Sequence, residues 1–359
     1  MSSRGKQRVR FCVISVSVWV SAFLLFCFLR HAGMDEFESV VLIKESNGLE
    51  RVLIYGGVGF FLGLLYALTD GLFERRFFAR QSYGRLLLTK IVLYFLMMKV
   101  LFIGMVIYLK WSDWEWNMII GAIRSTNYWV CLSYALIVGA VFTFVRQMSQ
   151  KFGPGVLWNL VRGKYRTPRE EERVFMFLDL QSSTTIADQL GHVRFSQLIQ
   201  DCFIDMTDAL RRSGAEVYQY VGDEIVVSWP SEKGFRDGVA VRCFFDIQSY
   251  LKERMGYYDS SYGVQPIFKA GMHVGWVTVA EVGVLKREIS YHGDTLNTTA
   301  RIEGCCNQFE RNFLASGAFV EALEPTTEFH IEELSEELLR GKKEAVKIFG
   351  ITLAAAIPG

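Results

Sequence analysis

Four long apolar runs occupy the first 145 residues, at about 11–29, 52–68, 86–109 and 128–145, and then the pattern changes. Each run has nearly the length that carries an α-helix across a hydrocarbon core. After residue 173 no run is that long. Short apolar stretches rich in β-branched and aromatic residues alternate there with segments whose apolar positions recur at helical spacing, the pattern of an α/β or α+β domain. Residues 174–178 read as a buried strand that closes on Asp179. Residues 192–214 read as a helix that stops at Gly214. Residues 215–230 read as a hairpin around Gly222-Asp223, because glycine tolerates the positive φ that a tight turn needs. A helix is predicted over 235–255 and a second hairpin over 266–282, turning at Gly275. A further helix is entered near Asp294, and a strand pair surrounds Gly341.

Charge placement orients the apolar half. Arg4, Lys6, Arg8 and Arg10 precede the first run, Arg75, Arg76, Arg80 and Arg85 lie between the second and third, and Arg146, Lys151, Arg162, Lys164, Arg166 and Arg169 follow the fourth. The stretch 30–51 is instead acidic, with Asp35, Glu36, Glu38, Glu45 and Glu50. Basic residues stay on the cytoplasmic side, so both termini and the 69–85 loop are expected in the cytoplasm of a multi-pass inner-membrane protein. Trp111, Trp114 and Trp116 then form an aromatic belt at the outer interface. The basic residues before the first run do not make it a signal peptide, since it is too long and lacks a small-residue cleavage site. Gly56, Gly59 and Gly63 share one side of the second helix and allow close packing. Lys99 falls mid-span with no acid inside the other runs, which leaves packing and sensing equally open. Gly153-Pro154-Gly155 breaks the last helix, and an amphipathic piece at 156–161 leads to the second half as a plain linker or a coupling element. The organisation expected is a transmembrane domain over 1–145, a connector over 146–172, a folded domain over 173–350 and a tail over 351–359.

Composition narrows the classes. Of the 359 residues, 51% are hydrophobic and 14% aromatic, an excess concentrated before residue 146. Net charge is +1, which gives no basis for nucleic-acid binding by bulk charge. The seven cysteines include no CxxC pair, and the histidines are scattered, which argues against a zinc site or a disulfide framework. A transporter is disfavoured by one intramembrane lysine without paired acids.

The candidate chemistry begins at Asp179. Alone it reads as a helix cap, since Asp, Ser and Thr all cap helices. The residues that follow, Ser182-Ser183-Thr184-Thr185, also offer hydroxyls and backbone N–H groups of the kind that surround a metal-bound phosphate. Asp223 places a second carboxylate at a hairpin tip. Asn297 and Arg301 stand four apart, so both project from one helix face.

Four segments then agree in order and spacing with one family. FLDLQSSTT, YVGDE, HGDTLNTTARIE and LRGK resemble the class III adenylyl and guanylyl cyclase catalytic domain across about 173–350. The resemblance implies an α+β, ferredoxin-like domain that works as a homodimer with active sites at the interface. It implies ring closure of a nucleoside triphosphate with release of pyrophosphate. Asp179, Asp223 and the Leu180 carbonyl match the metal ligands for two Mg²⁺ or Mn²⁺ per site, chemistry that suits hard carboxylates. Ser182, Ser183 and Thr184 match the triphosphate loop, and Lys342 matches a phosphate-binding lysine, with Lys286 and Arg287 as further basic candidates. Asn297 would orient the ribose, and Arg301 would offer its planar fork to the α-phosphate. Gln219 and Ser290 occupy the base-selecting positions, where adenylyl cyclases often carry Lys with Asp or Thr and guanylyl cyclases Glu with Cys. Ser290 suits the adenylyl variants, whereas the Gln219 amide can present a donor or an acceptor, so ATP is favoured over GTP. A guanylyl cyclase and a non-catalytic receptor of the same fold remain the alternatives. A diguanylate cyclase, suggested by Gly222-Asp223-Glu224, is opposed by the Asn297/Arg301 helix.

Overall fold

A computed structural model describes residues 3–31, 47–73, 83–109, 120–121, 123–152, 162–324, 327–339 and 344–354. The chain divides into two compact units, Met1–Lys151 and Phe152–Gly359.

Among the described residues, the first unit holds four long helices, α1 (Ser3–His31), α2 (Gly48–Phe73), α3 (Tyr83–Leu109) and α4 (Thr126–Phe152). Three contain segments long and apolar enough to cross a membrane: Val9–Leu29, Gly48–Asp70 and Tyr128–Ser149. The predicted third span, 86–109, coincides with α3, which does not stand among those three. Close packing of α1 on α2 rests on two of the three predicted glycines. A Cβ on Gly59 would lie 2.7 Å from the Trp19 carbonyl oxygen, and one on Gly63 would lie 2.6 Å from Val16 Cα. Gly56 meets only Leu24, at 3.9 Å. Ser15 donates a hydrogen bond to the Gly63 carbonyl at 2.9 Å, so a buried hydroxyl seals the same contact. Trp19, Phe23, Phe26, Tyr55 and Tyr66 fill the space between the helices.

An acid just outside the apolar runs, which the sequence reading did not single out, ties these helices together. Asp70, just beyond the second apolar run, is 2% exposed and accepts from Lys90 Nζ on α3 at 2.6 Å. It also pairs with Arg146 on α4. The Arg146 guanidinium lies 3.5 Å over the Phe11 ring of α1. One buried carboxylate thereby joins three helices, the pairing that makes an intramembrane charge tolerable. Lys99 instead lies over the Phe95 ring at 4.5 Å.

The second unit is built on one mixed sheet. Its strands are β1 (Arg169–Leu180), β2 (Glu216–Val221), β3 (Glu224–Pro230), β4 (Phe268–Val282), β5 (Glu288–His292), β6 (Phe313–Ser316), β7 (Phe329–Glu337) and β8 (Val346–Leu353). The order is β2-β3-β1-β4-β6-β8-β7, with β5 paired to β4. All pairings are antiparallel except β4 with β6. Strands β1 to β4 therefore lie in the order of a split βαβ, ferredoxin-like motif. The helices are α5 (Ser183–Ser213), α6 (Ser231–Phe235), α7 (Val239–Glu253), α8 (Met255–Tyr262), α9 (Asp294–Gly304) and α10 (Gly317–Ala322).

Alternation along β1 splits its side chains between two faces. Val174, Met176, Leu178 and Leu180 enter the main core with Leu198, Cys202 and Met206 of α5 and Ala240, Phe244 and Ile247 of α7. Phe175 and Phe177 go to the other face, with Val277 and Val279 of β4 and Leu296 and Ala300 of α9. Helix α5 ends at Gly214, as the pattern predicts, with φ +67° there. It starts earlier than predicted, at Ser183, and bends at Gly191.

The hairpin predicted at Gly275 is not one. Residues 268–282 form a single strand, and Gly275 pairs with Arg173 in the ladder. Its lack of a side chain serves packing, since a Cβ would lie 2.7 Å from Thr295 Oγ1 on α9. The true hairpin joins β4 to β5. The final pair is β7 with β8, so its first strand precedes the expected position. Trp111, Trp114, Trp116, the Gly153-Pro154-Gly155 break, the 156–161 piece and Lys342 lie outside the described residues.

Candidate active site

The end of β1 is where the sequence candidates converge. Asp179 follows Phe175 and Phe177 in the alternation, and its Cα partner across the ladder is Lys269 of β4. On the other side of β1, Leu178 pairs with Ile225 of β3. The Gly222-Asp223 turn stands just beyond that pair, closed by Val221 opposite Glu224. Gly222 has φ +63°, the conformation that made the turn legible. This register carries the Asp223 carboxyl to that of Asp179, within hydrogen-bonding reach. Leu180, the next residue, turns its side chain into the main core.

Two carboxylates this close repel one another. Burial, then the contact and charge of Asp223, then the charge of Glu303, push the Asp179 pKa up to about 6 against the pull of Lys269. Glu224 is pushed up to about 7 by burial and by Glu303, Asp179 and Asp223. Asp223 Oδ2 is buried and receives no hydrogen bond. A buried carboxylate oxygen without a donor, beside a second carboxylate, is a coordination position for a hard cation. No cluster of three or more His, Cys, Asp or Glu arranged for a metal exists among the described residues. Two carboxylates with remaining positions left to phosphate oxygens and water is the usual way a protein binds Mg²⁺. The residues present fit such an ion.

The polar loop begins immediately after. Ser182 adopts the left-handed conformation, φ 58°, and no side chain caps the start of α5. The Ile186 N–H returns to the Ser182 carbonyl at 3.1 Å, closing the first turn. Ser183 is half-buried, while Ser182 and Thr184 are exposed. An uncapped helix start presents N–H groups and the positive end of a dipole to an anion.

Helix α9 carries the remaining pair. Thr295, Thr298, Thr299, Ile302 and Glu303 form its buried side. Asn297 is exposed and Arg301 half-exposed on the opposite side. Thr295 Oγ1 donates to the Trp276 carbonyl at 2.8 Å and fixes the helix start on β4. Asn297 and Arg301 thus face away from their own sheet, and among the described residues no hydrogen bond or ion pair joins them to Asp179 or Asp223.

Gln219 is exposed on β2, next to a bulge, with Val226 as its register partner. Ser290 is half-buried on β5 opposite Ala280. No hydrogen bond joins them among the described residues. Their neighbours Tyr218 and Tyr291 do meet, edge to face at 4.8 Å. Lys286 pairs with Glu288, and Arg287 reaches Glu281 at 3.5 Å, so both are engaged in an exposed hairpin.

Three charged residues of the site escaped sequence reasoning. Lys269 Nζ lies 3.4 Å from Asp179 Oδ2 and 3.0 Å from Glu303 Oε1, and Glu224 adjoins the hairpin acid. Burial disfavours the Lys269 ammonium, but Glu303 and Asp179 outweigh it and raise its pKa. The signal for Lys269 was a lone charge in an apolar strand. Glu303 was visible as the acid two places after Arg301.

Residues 166–352 match the adenylate and guanylate cyclase catalytic domain. Adenylate cyclase 2 of Rhizobium meliloti (strain 1021) is 31% identical over 328 residues, covering 87% of this chain and 89% of that protein. Adenylate cyclase 1 of the same organism is 24% identical over 221 residues, covering 59% of this chain and 32% of that one. The solved structure of a bacterial light-regulated adenylyl cyclase superposes with a TM-score of 0.54 at 18% identity, over 65% of this chain and 68% of that chain. That last likeness concerns the fold.

Proposed function

The chain belongs to the adenylate and guanylate cyclase catalytic-domain family, the class III nucleotidyl cyclases, and from that premise we propose that it is a membrane-anchored enzyme converting ATP to 3′,5′-cyclic AMP and pyrophosphate. The observation that carries the reading is the Asp179–Asp223 pair with its buried, donor-free Asp223 Oδ2. The preference for ATP follows the relative that matches along nearly its whole length, an adenylate cyclase.

Asp179, Asp223 and the Leu180 carbonyl would hold Mg²⁺ or Mn²⁺, two per site. Such ions supply an acidified ribose hydroxyl and neutralise charge on the phosphate oxygens. The chain's own residues do the rest. The uncapped start of α5, at Ser182, Ser183 and Thr184, binds the triphosphate through backbone N–H groups. Asn297 orients the ribose so that its 3′ oxygen lies in line with the α-phosphorus. Arg301 takes charge on the α-phosphate oxygens as the bond to the 3′ oxygen forms and the bond to the β-phosphate breaks. Lys342 holds the departing pyrophosphate. Gln219 and Ser290 read the base edge.

Asn297 and Arg301 project from the side of α9 opposite its sheet contacts. They complete a site only against a second copy of the chain, so a homodimer carries two sites, each with the acids of one subunit and the Asn/Arg pair of the other. In this reading the apolar helices anchor the protein in the inner membrane, with both termini and the domain over 173–350 in the cytoplasm. Residues 146–172 then form the connector.

Full-length protein in lipid nanodiscs, given ATP or GTP with Mn²⁺, tests the assignment. Cyclic AMP is the expected product, and Asp179→Asn or Asp223→Asn should each lower kcat by about a hundredfold or more, the scale of losing one charge-stabilising group. A clear preference for GTP would replace the product by cyclic GMP, the second reading, which the two-way hydrogen bonding of the exposed Gln219 amide supports.

A further inference from the structure

Lys269 is set between the two halves of the catalytic machinery. It stands opposite Asp179 in the β1–β4 ladder, and its ammonium is 3.4 Å from Asp179 and 3.0 Å from Glu303. Glu303 lies on α9, two residues beyond Arg301. The lysine and glutamate side chains are 12% and 11% exposed, so little water screens the pair. Backbone geometry fixes both ends. Two residues along β4, Gly271 lets the Glu303 backbone rest on the strand, where a Cβ would lie 2.3 Å from Glu303 N. Four carboxylates gather here, those of Asp179, Asp223, Glu224 and Glu303. Among the described residues, Lys269 is the one cation paired with any of them.

We propose that Lys269, shared between Asp179 and Glu303, is a positioning residue that holds the metal-binding carboxylate from one side and the helix bearing Asn297 and Arg301 from the other. This rests on the reading of Asp179 as a metal ligand. An ammonium and a divalent cation compete for the same carboxylate. Glu303 gives the ammonium an alternative partner, so Asp179 can turn to the cation without leaving the lysine unmatched in a dry site. In a dimer with composite sites, the same bridge joins the acids of one site to the Asn/Arg pair of the other.

Opposite shifts in metal affinity distinguish this arrangement from simple support of the fold. Full-length protein in nanodiscs is titrated with Mn²⁺ without nucleotide, and free Mn²⁺ is read by electron paramagnetic resonance. Lys269→Met removes the competitor and should tighten Mn²⁺ binding several-fold. Glu303→Gln leaves the ammonium to Asp179 alone and should weaken it several-fold. Both should lower kcat for ATP at saturating Mn²⁺ with little change in KM, and Lys269→Arg should recover part of that loss. Shifts in the same direction, no shift in either variant, or full kcat in either would overturn the proposal. If Lys269→Met fails to fold, Glu303→Gln and Lys269→Arg carry the test, and unchanged or tighter Mn²⁺ binding in Glu303→Gln overturns it. Asp179→Asn separates the two levels: wild-type Mn²⁺ binding in that variant shows that the metal assignment has failed, and the lysine proposal falls with it.

Discussion

At the scale of single residues, the site stores electrostatic repulsion that a cation would relieve. Asp179 sits at about 6 and Glu224 at about 7 in the folded chain, against about 4 for an unfolded carboxyl. A carboxyl with a raised folded pKa binds protons more readily folded than unfolded. Its protonation therefore favours the fold below the unfolded pKa, and that contribution is lost as pH climbs through the folded value. Metal-free protein should lose on the order of 2 kcal/mol of stability from Asp179 alone between pH 4.5 and 7.5. Thermal unfolding of metal-free wild type and Asp179→Asn across that range isolates the effect. The wild type should lose more stability than the variant as pH rises, and added Mn²⁺ should restore the wild type most at the upper end; parallel curves without metal would refute it. Asp179 and Asp223 were legible because each stands where a local rule acts, a strand end and a glycine turn. Lys269 was not, because its importance comes from a register partner some ninety residues away in sequence. Asp70 escaped for a related reason: it lies just past an apolar run, and only the packing of α2 on α3 and α4 brings Lys90 and Arg146 to it.

At the scale of elements, two glycines that look alike in sequence do different work. Gly222 supplies a positive φ, so a rule about turns finds it. Gly275 has an ordinary place in a strand, and its small size matters only because α9 presses on it. A turn rule applied there divides one 15-residue strand into a false hairpin. Gly271 belongs to the second kind, and more severely. A Cβ would meet Glu303 N at 2.3 Å and Glu303 Cα at 2.6 Å, both backbone atoms that cannot swing aside. Gly271→Ala should therefore push α9 off the sheet, costing roughly 1–3 kcal/mol by overpacking. It should also lower kcat by about tenfold or more, since a displacement near 1 Å of aligned groups is enough for such a loss. Gly304→Ala is the control, because nothing lies within 4 Å of its Cβ position. Equal activity in the two variants would show that α9 tolerates displacement. The alternation of strand and helix, the hairpin at Gly222 and the stop at Gly214 were all readable from local pattern. The sheet order was not, since strand pairing is decided by which faces bury together.

At the scale of the whole molecule, one chain holds all the groups assigned to the proposed reaction but turns them in different directions. Asp179 and Asp223 meet at the end of β1, whereas Asn297 and Arg301 project from the outer side of α9. In the proposed homodimer a symmetric pair of chains would resolve this by exchanging halves, and a two-fold interface would repeat the exchange in a second site. In the proposed membrane-anchored form, confinement of the copies to one plane would favour such pairing by raising their local concentration. The exchange has a consequence that no single-chain site shares. Asp179→Ala and Arg301→Ala should each abolish turnover as homodimers. Co-expressed, they form some mixed dimers in which one site has both defects and the other has neither. Random pairing puts one intact site in half of the dimers, so activity should return to about a quarter of wild type. Differently tagged subunits, purified by both tags in sequence, should reach about half. Activity that stays at the level of the single variants in doubly tagged dimers would place all four residues in one chain's site, and the helix α9 would then have to turn its outer face inward.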